Sequence, residues 1–483
     1  MRRLFGTPGI SLGFLVLSLV KIAHHEMWRD ELEYWDAARQ SRSLTELREN
    51  TRYIGQPPLG HLVLYAVSRV TRDPRAMQLL NVVTATAAVA VVSAFAPWTT
   101  PYKWLFAFGY FPFFEYGTIS RYYALSLLLV VAFCAAFCRS QRLTLPAAAI
   151  GFLLALSTFH STIIVIAIVI ACAAEALGER RRPARGEWLG ILLLILGIVI
   201  SVALATPPRD SRFLQPWSQG WEAARVWRWF GLIWNGYLPL PALRPPLWNR
   251  NLLDFAPNLK AVLGLALLAS VALAVRRLTL PLVLFCSGTI GLLLFGVLQW
   301  GGAARHSGLL YLVLVATLWL AGARTTALQP WVRRFFGTLL AVQLVGGLFM
   351  SYQDLVLPFS NGVATAEYLR KARLTSLPIV GHKEDVVSVV AGLLDQPFYF
   401  PASQRWATRA VANRARRPVT RRALGAEILR LSYARKSDVI AVLSYPLEPL
   451  GRLELLRCFD GSIVREDFCV YRAPRPNARR RRH

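Results

Sequence analysis

Long apolar segments recur along most of the chain and constrain its fold more than any other feature. A helix needs about 20 apolar residues to cross the hydrocarbon core of a membrane. The segments that approach this criterion are residues 8–23, 76–96, 103–117, 121–138, 143–158, 161–177, 187–205, 259–275, 279–299, 303–323 and 334–351. Apolar residues make up 55% of the sequence and charged residues only 17%, which also indicates an integral membrane protein.

Arginine-rich loops predict how these segments are oriented. Arg2 and Arg3 precede the first segment. The later loops that are rich in Arg are 139–142, 178–185, 276–277 and 324–334. Because positively charged loops favour the cytoplasmic side, we expect the N-terminus and these loops to lie in the cytoplasm. The loop 97–102 is then cytoplasmic as well, since it lies between two crossings that start outside. The extracytoplasmic parts are the first loop, the loops 117–120, 158–161, 206–258 and 299–305, and everything after residue 351.

This orientation depends on residues 58–70, which form an apolar segment shorter than the about 20 residues that a membrane-spanning helix needs. As a helix it would be only about 20 Å long. We interpret it as a helix on the membrane surface within an extracytoplasmic first loop, residues 24–75. If the segment does cross, one crossing must be removed from residues 76–117 to keep the later Arg loops inside.

The expected fold is an all-α membrane bundle of about 11–12 transmembrane helices followed by a small C-terminal α/β domain. Residues 1–351 form the membrane domain, with a second outer loop, rich in Trp, at 206–258. Residues 352–475 alternate helix-like and strand-like stretches, and 476–483 form a basic tail.

The C-terminal stretches can be named individually. Helices are predicted at 366–374 and 384–394, and strands at 377–381, 398–400 and 438–445. Cys458 and Cys469 also lie in this domain. If the domain is extracytoplasmic, they are expected to form a disulfide.

The net charge of +28 admits two interpretations. Nucleic-acid binding would require a soluble basic domain with a recognition motif, and no such motif is found. Membrane lipids and lipid phosphates are the better match for a chain of this hydropathy.

Ionisable residues at several outer segment ends form the candidate site. Asp30 and Glu31 follow the first apolar segment, and the stretch from Gln56 to His61 follows in the same loop. The others are Glu115, Arg121, Tyr122, His160, Arg305 and His306. Charged residues near a membrane boundary are costly to hold there, so a shared face of such groups indicates function.

These motifs resemble the polytopic glycosyltransferases of the C-type fold, in the branch of protein O-mannosyltransferases and aminoarabinose transferases. The resemblance covers about 320 residues and depends on four ordered features. An Asp-Glu pair follows the first segment, then Pro-Pro-Leu, then Arg-Tyr-Tyr-Ala-Leu at 121–125, then Arg305-His306. Gln56 stands where that family often has His or Lys before Pro-Pro-Leu, and the C-terminal domain has no counterpart.

The resemblance implies transfer of a sugar from a polyprenyl-phosphate donor to a hydroxyl of a lipid, glycan or protein, on the outer face of the plasma (inner) membrane. Asp30 is then the expected general base, Glu31 its orienting partner and Glu115 a second acid. Arg305 and Arg121 are expected on the lipid phosphate, because guanidinium binds phosphate bidentately. The substrate-binding set is completed by Tyr122, His306, His160, Gln56 and His61.

Each assignment has a structural alternative. Asp30 could simply cap a helix, Glu115 could pair with Arg121, and Arg305 could anchor the chain at the interface. No zinc-type C-x-x-C or H-E-x-x-H motif is present and the sequence indicates no definite cofactor; a divalent metal at His24, His25 and Glu26, or at Glu31, is the alternative.

Two other functions compete with the enzyme. A transporter or flippase for a lipid-linked substrate would place ionisable groups near the bilayer midplane in matched halves of the chain. A non-catalytic membrane assembly protein would use the C-terminal domain for binding and would not need Asp30 and Glu115 together.

Overall fold

The computed structural model describes residues 7–212, 223–299, 303–325, 329–447 and 453–475. Arg2 and Arg3, residues 213–222 of the Trp-rich loop and the basic tail 476–483 lie outside the described residues. The orientation and tail predictions for these positions therefore stay predictions.

The N-terminal part of the described chain is helical. Its helices are α1 (Thr7–Ile22), α2 (Arg29–Gln40), α3 (Leu44–Thr51), α4 (Pro58–Val70), α5 (Arg75–Phe95), α6 (Thr100–Ala107), α7 (Tyr123–Ser140), α8 (Leu145–Ala155), α9 (Phe159–Gly178), α10 (Arg185–Ala205), α11 (Ala223–Tyr237), α12 (Pro257–Val275), α13 (Thr279–Gln299), α14 (Ala304–Arg324) and α15 (Pro330–Val356). A short π-helical segment, Tyr110–Glu115, lies between α6 and α7.

Among the described residues, eight helices are long and apolar enough to cross a membrane, which agrees with a membrane all-α protein. They are α5, α7, α9, α10, α12, α13, α14 and α15. Pro8–Ile22 and Leu145–Ala155 are shorter apolar helices. The predicted segments 8–23 and 143–158 correspond to these two helices. The length of the segment 143–158 is overestimated by several residues.

The predicted continuous segment at 103–117 is wrong. The chain there forms α6, an extended residue at Gly109 and then the π-helical segment that contains Pro112. Proline lacks the amide hydrogen that a regular helix requires, so an unbroken α-helix is disfavoured at this point. The break turns Glu115 inward, toward the start of α14, rather than placing it on a helix that crosses.

Helix α14 lies at the centre of the bundle, since every residue from Ser307 to Ala321 is buried. Contacts between α14 and the surrounding helices show which helix ends lie together. The ring centroids of His160, in the first turn of α9, and His306, in the first turn of α14, are 4.6 Å apart. At the opposite end, Arg324 donates to Gln141 (2.9 Å) and pairs with Glu175. The Arg-rich loops 139–142 and 178–185 therefore lie at the same end as Arg324, about 30 Å along α14 from Arg305.

The two predicted outer loops contain helices. Residues 58–70 form α4 with the predicted bounds, and α4 packs against α2. The Trp-rich loop 206–258 contains α11, which packs along α12; Trp227 Nε1 donates to Asn258 at 3.1 Å. The prediction of a loop at 206–258 is therefore incomplete. Trp residues at helical spacing pack against a neighbouring helix as well as anchor a chain at the membrane interface.

The C-terminal part is an α/β domain. Its elements are α16 (Gly362–Lys371), a 3₁₀ turn at Leu374–Ser376, β1 (Ile379–His382), α17 (Glu384–Leu394), β2 (Phe398–Phe400), β3 (Arg405–Ala407), α18 (Arg421–Arg435), β4 (Val439–Leu443), β5 (Glu454–Phe459) and β6 (Phe468–Ala473). The sheet order is β3-β2-β1-β4-β6-β5, with β1 parallel to β2 and β4 and the other pairs antiparallel.

Each predicted element of this domain has a counterpart, and α17 and β2 have the predicted bounds. The patterns of β3, α18, β5 and β6 were not recognised in the sequence. Helix α15 continues to Val356, so the boundary at 351/352 falls inside a helix. Cys458 and Cys469 face each other on β5 and β6 and are disulfide-bonded, which confirms the predicted pair.

The C-terminal domain packs on the first loop through α17 and α2. Apolar side chains of α2 such as Leu32 and Trp35 share one core with Val387 and Val390 of α17. Arg39, buried on α2, donates to Asp36 (2.6 Å) and to the Gly392 carbonyl (3.0 Å). The C-terminal domain is therefore held against α2 by an apolar core and by the hydrogen bonds of Arg39.

Candidate active site

Helix α2 presents two different faces, and its spacing decides which carboxylates reach solvent. Asp30, Glu33 and Tyr34 share one face, since residues three and four apart are neighbours on a helix, and all three line a cavity of about 630 Å³. Glu31 and Trp35 point the other way and are completely buried. Adjacent acidic residues thus enter different environments.

The cavity lies between the membrane helices and the C-terminal domain. Its floor includes the first residues of α9 and α14, and its side includes Phe295 of α13 and Ala205 at the end of α10. Asp385, Ser388 and Arg416 of the C-terminal domain line it from the other side. Both parts of the chain therefore build one chamber.

Asp30 is clamped by arginines. Its Oδ2 accepts hydrogen bonds from Arg121 Nη1 at 2.8 Å and Arg305 Nη2 at 3.2 Å, while Arg29 Nε lies 3.5 Å from Oδ1. Burial would raise the pKa of Asp30, but Arg121, then Arg305 and Arg29, outweigh it, so the pKa is lowered. Asp30 is therefore ionised and paired with these arginines.

The two arginines keep spare hydrogen-bonding capacity. Arg121 also donates to the Tyr34 hydroxyl at 2.7 Å and lies over its ring, while Arg305 lies over the Trp28 ring. Among the described residues, the buried Nε atoms of Arg121 and Arg305 have no hydrogen-bond acceptor. Two guanidinium groups converging on one oxygen form a site suited to an anion with several oxygens.

Glu31 is a structural residue in this arrangement rather than a lining residue. One carboxylate oxygen accepts the Ser120 amide (2.6 Å) and the other accepts the Trp28 amide (3.1 Å) and His25 Nε2 (3.3 Å). His25 Nδ1 in turn contacts both carboxylate oxygens of Asp354 at 3.0 Å. The predicted role of Glu31 as the orienting partner of Asp30 is not what this geometry favours, because both Glu31 oxygens are enclosed and bind Ser120, Trp28 and His25 instead.

Glu115 is also enclosed. Its Oε2 accepts from the Tyr110 hydroxyl at 3.1 Å and from Trp248 Nε1 at 2.8 Å, and the side chain is buried outside the cavity lining. A second acid at this position would therefore need a rearrangement. The break at Pro112 explains the inward orientation.

Of the predicted binding residues, two pair with each other. The Tyr122 hydroxyl and His61 Nδ1 are 2.7 Å apart, and both rings pack against Tyr34. Neither lines the large cavity, whereas Tyr123, which the prediction passed over, does. His61 and Tyr122 support Tyr34 from behind, so a direct substrate role is not favoured for either.

Gln56, His160 and His306 do line the cavity. Gln56 Oε1 accepts the Phe159 amide at 3.3 Å and so ties the first loop to the start of α9. The two histidine rings are stacked, with an interplanar angle of 15°. They form a flat wall beside Arg305.

Several lining residues were missed from sequence. Glu33 and Tyr34 could have been found, because they lie at helical spacing from Asp30. Asp385, Ser388 and Arg416 line the cavity because the C-terminal domain folds back over α2, and Arg212 of the second outer loop lines it as well. No local motif indicates that contact.

Among the described residues, no group of three or more His, Cys, Asp or Glu side chains is arranged to hold a metal ion. His25 and Glu31 are instead tied to Asp354 and the backbone, as described above. Comparison of the chain with protein-family models, with curated proteins and with solved structures finds no match in any of the three.

Proposed function

We propose that the protein is a membrane glycosyltransferase that moves a sugar from a polyprenyl-phosphate donor to an acceptor hydroxyl. The observation that carries the proposal is the convergence of Arg121 and Arg305 on Asp30 at the cavity. A lipid phosphate would accept hydrogen bonds from these guanidinium groups, and a carboxylate of α2 would supply a proton acceptor within the same chamber.

The surroundings of the cavity suit a donor that stays in the membrane. Phe159 and Phe295 lie at the ends of apolar helices α9 and α13, and Ala205 ends α10. A polyprenyl chain could lie against these helices while its phosphate and sugar enter the chamber. The stacked His160 and His306 rings would pack against the sugar or its phosphate.

The proposed orientation places the cavity outside the cytoplasm. The Arg-rich loops 139–142 and 178–185 lie at the end of α14 opposite to Arg305, as the contacts of Arg324 with Gln141 and Glu175 indicate. Because Arg-rich loops favour the cytoplasmic side, the cavity and the C-terminal domain would face outward. The disulfide between Cys458 and Cys469 agrees with an oxidising compartment.

The direct test is transfer by the purified full-length protein in lipid nanodiscs. We would supply decaprenyl and undecaprenyl phosphates that carry labelled mannose, glucose, galactose or arabinose, with a membrane lipid extract as acceptor. Release of polyprenyl phosphate and formation of a labelled product, both resolved by thin-layer chromatography, are expected for at least one donor.

Two variants accompany this assay. Arg305→Ala should bind decaprenyl phosphate less tightly. Arg52→Ala is the control, because Arg52 lies outside the cavity lining, and it should behave as wild type. Binding without any transfer, together with movement of the labelled donor between leaflets of a vesicle, would favour the flippase instead. If the protein neither binds nor transfers from any donor, both functions are contradicted.

The orientation has its own test. A reporter that is active only in the cytoplasm, fused after Tyr471, should give no signal. Strong signal would place the C-terminal domain and the cavity in the cytoplasm and would exclude an outer-leaflet donor.

A further inference from the structure

Glu33 is the one α2 carboxylate that faces the cavity with its oxygens uncommitted. It lies one helical turn after Asp30 and lines the same chamber. In the part of the chain that the structure describes, no hydrogen bond or ion pair within 4.0 Å joins its carboxylate to another residue. Asp30, by contrast, accepts from Arg121 and Arg305.

Asp30 is poorly arranged to accept a proton. The oxygen that would receive it, Oδ2, already accepts two hydrogen bonds from cations, and Arg29 approaches Oδ1. Protonating Asp30 would leave two arginines facing each other across a neutral group. Its geometry instead suits a residue that holds the two guanidinium groups together.

On the basis of the proposed glycosyl transfer, we propose that Glu33 is the general base for the acceptor hydroxyl and that Asp30 is a positioning residue for Arg121 and Arg305. Glu33 lines the chamber and its carboxylate has no hydrogen-bond or ion-pair partner among the described residues, and Arg121 and Arg305 line the same chamber. The acceptor would therefore stand between Glu33 and the donor's anomeric carbon.

The charges around Glu33 support this role. Burial raises its pKa most, Asp30 raises it further, and Arg121, Arg409 and Arg29 lower it, which leaves the pKa at about 7. Tyr34 of α2 and Tyr122 at the start of α7 also face it. Arg409, from the C-terminal domain, is itself engaged with Asn50 at 2.7 Å. A general base is most effective when its pKa lies near the working pH.

The acceptor O–H proton passes to a Glu33 oxygen while the acceptor oxygen forms a bond to the anomeric carbon. The bond from that carbon to the phosphate oxygen breaks, and its electron pair remains on the lipid phosphate beside Arg121 and Arg305. The products are a glycoside of inverted configuration, polyprenyl phosphate and a protonated Glu33, which returns its proton to water.

The first experiment compares Glu33→Gln with Glu49→Gln, a matched change on α3 outside the cavity. With the donor that wild type uses in nanodiscs, kcat for Glu33→Gln should fall about 10²–10⁴-fold. Binding of decaprenyl phosphate and the thermal unfolding midpoint should stay as in wild type. A kcat within a few-fold of wild type would overturn the assignment.

A second variant keeps the test decisive if Glu33→Gln folds poorly. Glu33→Ala leaves room for a small carboxylate, so added formate should restore part of kcat in a concentration-dependent way. Formate should not change kcat of wild type or of Glu49→Ala. A folded Glu33→Ala that formate does not rescue would count against a base at this position.

The pH profile separates the roles of the two carboxylates. For wild type, kcat/KM should rise with pH through about 7, because the base works only when ionised. Asp30→Asn removes a negative charge beside Glu33 and leaves Arg121 and Arg305 uncompensated. The rising limb should then move to lower pH by about one unit, with a higher KM for the donor.

If Asp30 is the base instead, Asp30→Asn would lose kcat by the 10²–10⁴-fold expected for a general base and Glu33→Gln would not. Wild-type protein that uses no donor in the panel would contradict the proposed function itself. Wild-type activity that survives in Glu33→Gln would contradict only the assignment of Glu33.

Discussion

Two acidic residues next to each other on α2 enter opposite environments. Glu31 belongs to a closed network in which His25 lies between it and Asp354, and both side chains of the Glu31–His25 pair are fully enclosed. Asp30 belongs to an open cluster at the cavity, where Arg121 and Arg305 converge and retain unpaired N–H groups among the described residues.

The contrast separates groups that hold the site from groups that are available for chemistry. In the closed network every charge has a partner and water is excluded, so removing one partner should affect folding. In the open cluster water can replace a lost partner, so removing one should affect binding and catalysis. A shift of one residue along a helix is enough to change the role of a carboxylate.

The largest expected effect is on stability, from Asp354→Asn. This change leaves a protonated His25 with only one acidic partner in a buried setting. Breaking a buried ion pair costs about 3–5 kcal/mol of unfolding free energy. Thermal unfolding followed by tryptophan fluorescence in detergent measures it.

The matched change on the other side of the comparison is Asp30→Asn, which should cost less unfolding free energy than Asp354→Asn, because Asp30, Arg121 and Arg305 keep 10–18% of their side-chain surface exposed whereas His25 and Glu31 are fully enclosed. Similar losses for the two variants would mean that the closed and open clusters do not differ as described.

The next prediction concerns pH. Burial lowers the pKa of His25, but Asp354 and Glu31 more than compensate and raise it to about 10, above its usual 6.5. The stability that protonated His25 contributes is complete below pH 6.5 and is lost as pH rises toward 10. The unfolding midpoint of wild type should therefore fall across this range.

His25→Gln is the variant that checks the origin of that fall. Its unfolding midpoint should be lower at pH 6 and should vary less between pH 6.5 and 10. An unchanged pH dependence in this variant would assign the effect to other groups.

A smaller effect is expected for Arg305 in the open cluster. Hydrogen bonds to charged groups contribute about 1.5–3 kcal/mol, so Arg305→Ala should weaken decaprenyl phosphate binding by about 10–100-fold. Arg305→Lys should lose less, because it keeps the charge but not the fork. Quenching of tryptophan fluorescence during titration gives the dissociation constants.

If the phosphate contact strengthens in the transition state, kcat falls while KM changes little; a uniform contact raises KM alone. Identical kinetic parameters for the donor in Arg305→Ala and wild type would reduce Arg305 to an interface anchor. Arg121 would then be the next candidate for the phosphate.

The smallest effect should come from Arg29→Ala. Arg29 is about a third exposed and approaches Asp30, Asp385 and Glu466 at 3.5–3.7 Å without a short contact. Exposed pairs of this kind contribute about 0–1 kcal/mol. A loss above about 2 kcal/mol in thermal unfolding would show that Arg29 joins the two domains more strongly than exposed pairs usually do.

Local patterns predicted much of the fold. Apolar segments of sufficient length mark the eight long helices, and alternating helix-like and strand-like stretches mark α17 and β2 with their bounds. These succeed because hydropathy and periodicity act within one element. Where the prediction failed, at 103–117, Pro112 was visible in the sequence and its effect was underestimated.

The site was predicted less completely. Asp30, Arg121 and Arg305 were selected from separate segments, and the structure brings them within hydrogen-bonding distance. Glu115 was selected for the same reason but is enclosed by Tyr110 and Trp248. A residue type at a segment end indicates a position along the membrane normal and leaves the direction of the side chain open.

The amino-acid sequence alone determined that the chain forms apolar helices with Arg-rich loops and a separate α/β region, because these properties follow from composition and local periodicity. Only the tertiary structure decided that Glu31 is enclosed while Asp30 and Glu33 face a cavity. It also decided that Asp385 and Arg416 close that cavity from a distant part of the chain. The physical reason is that burial and charge pairing depend on which elements pack together, and non-local packing leaves no local pattern.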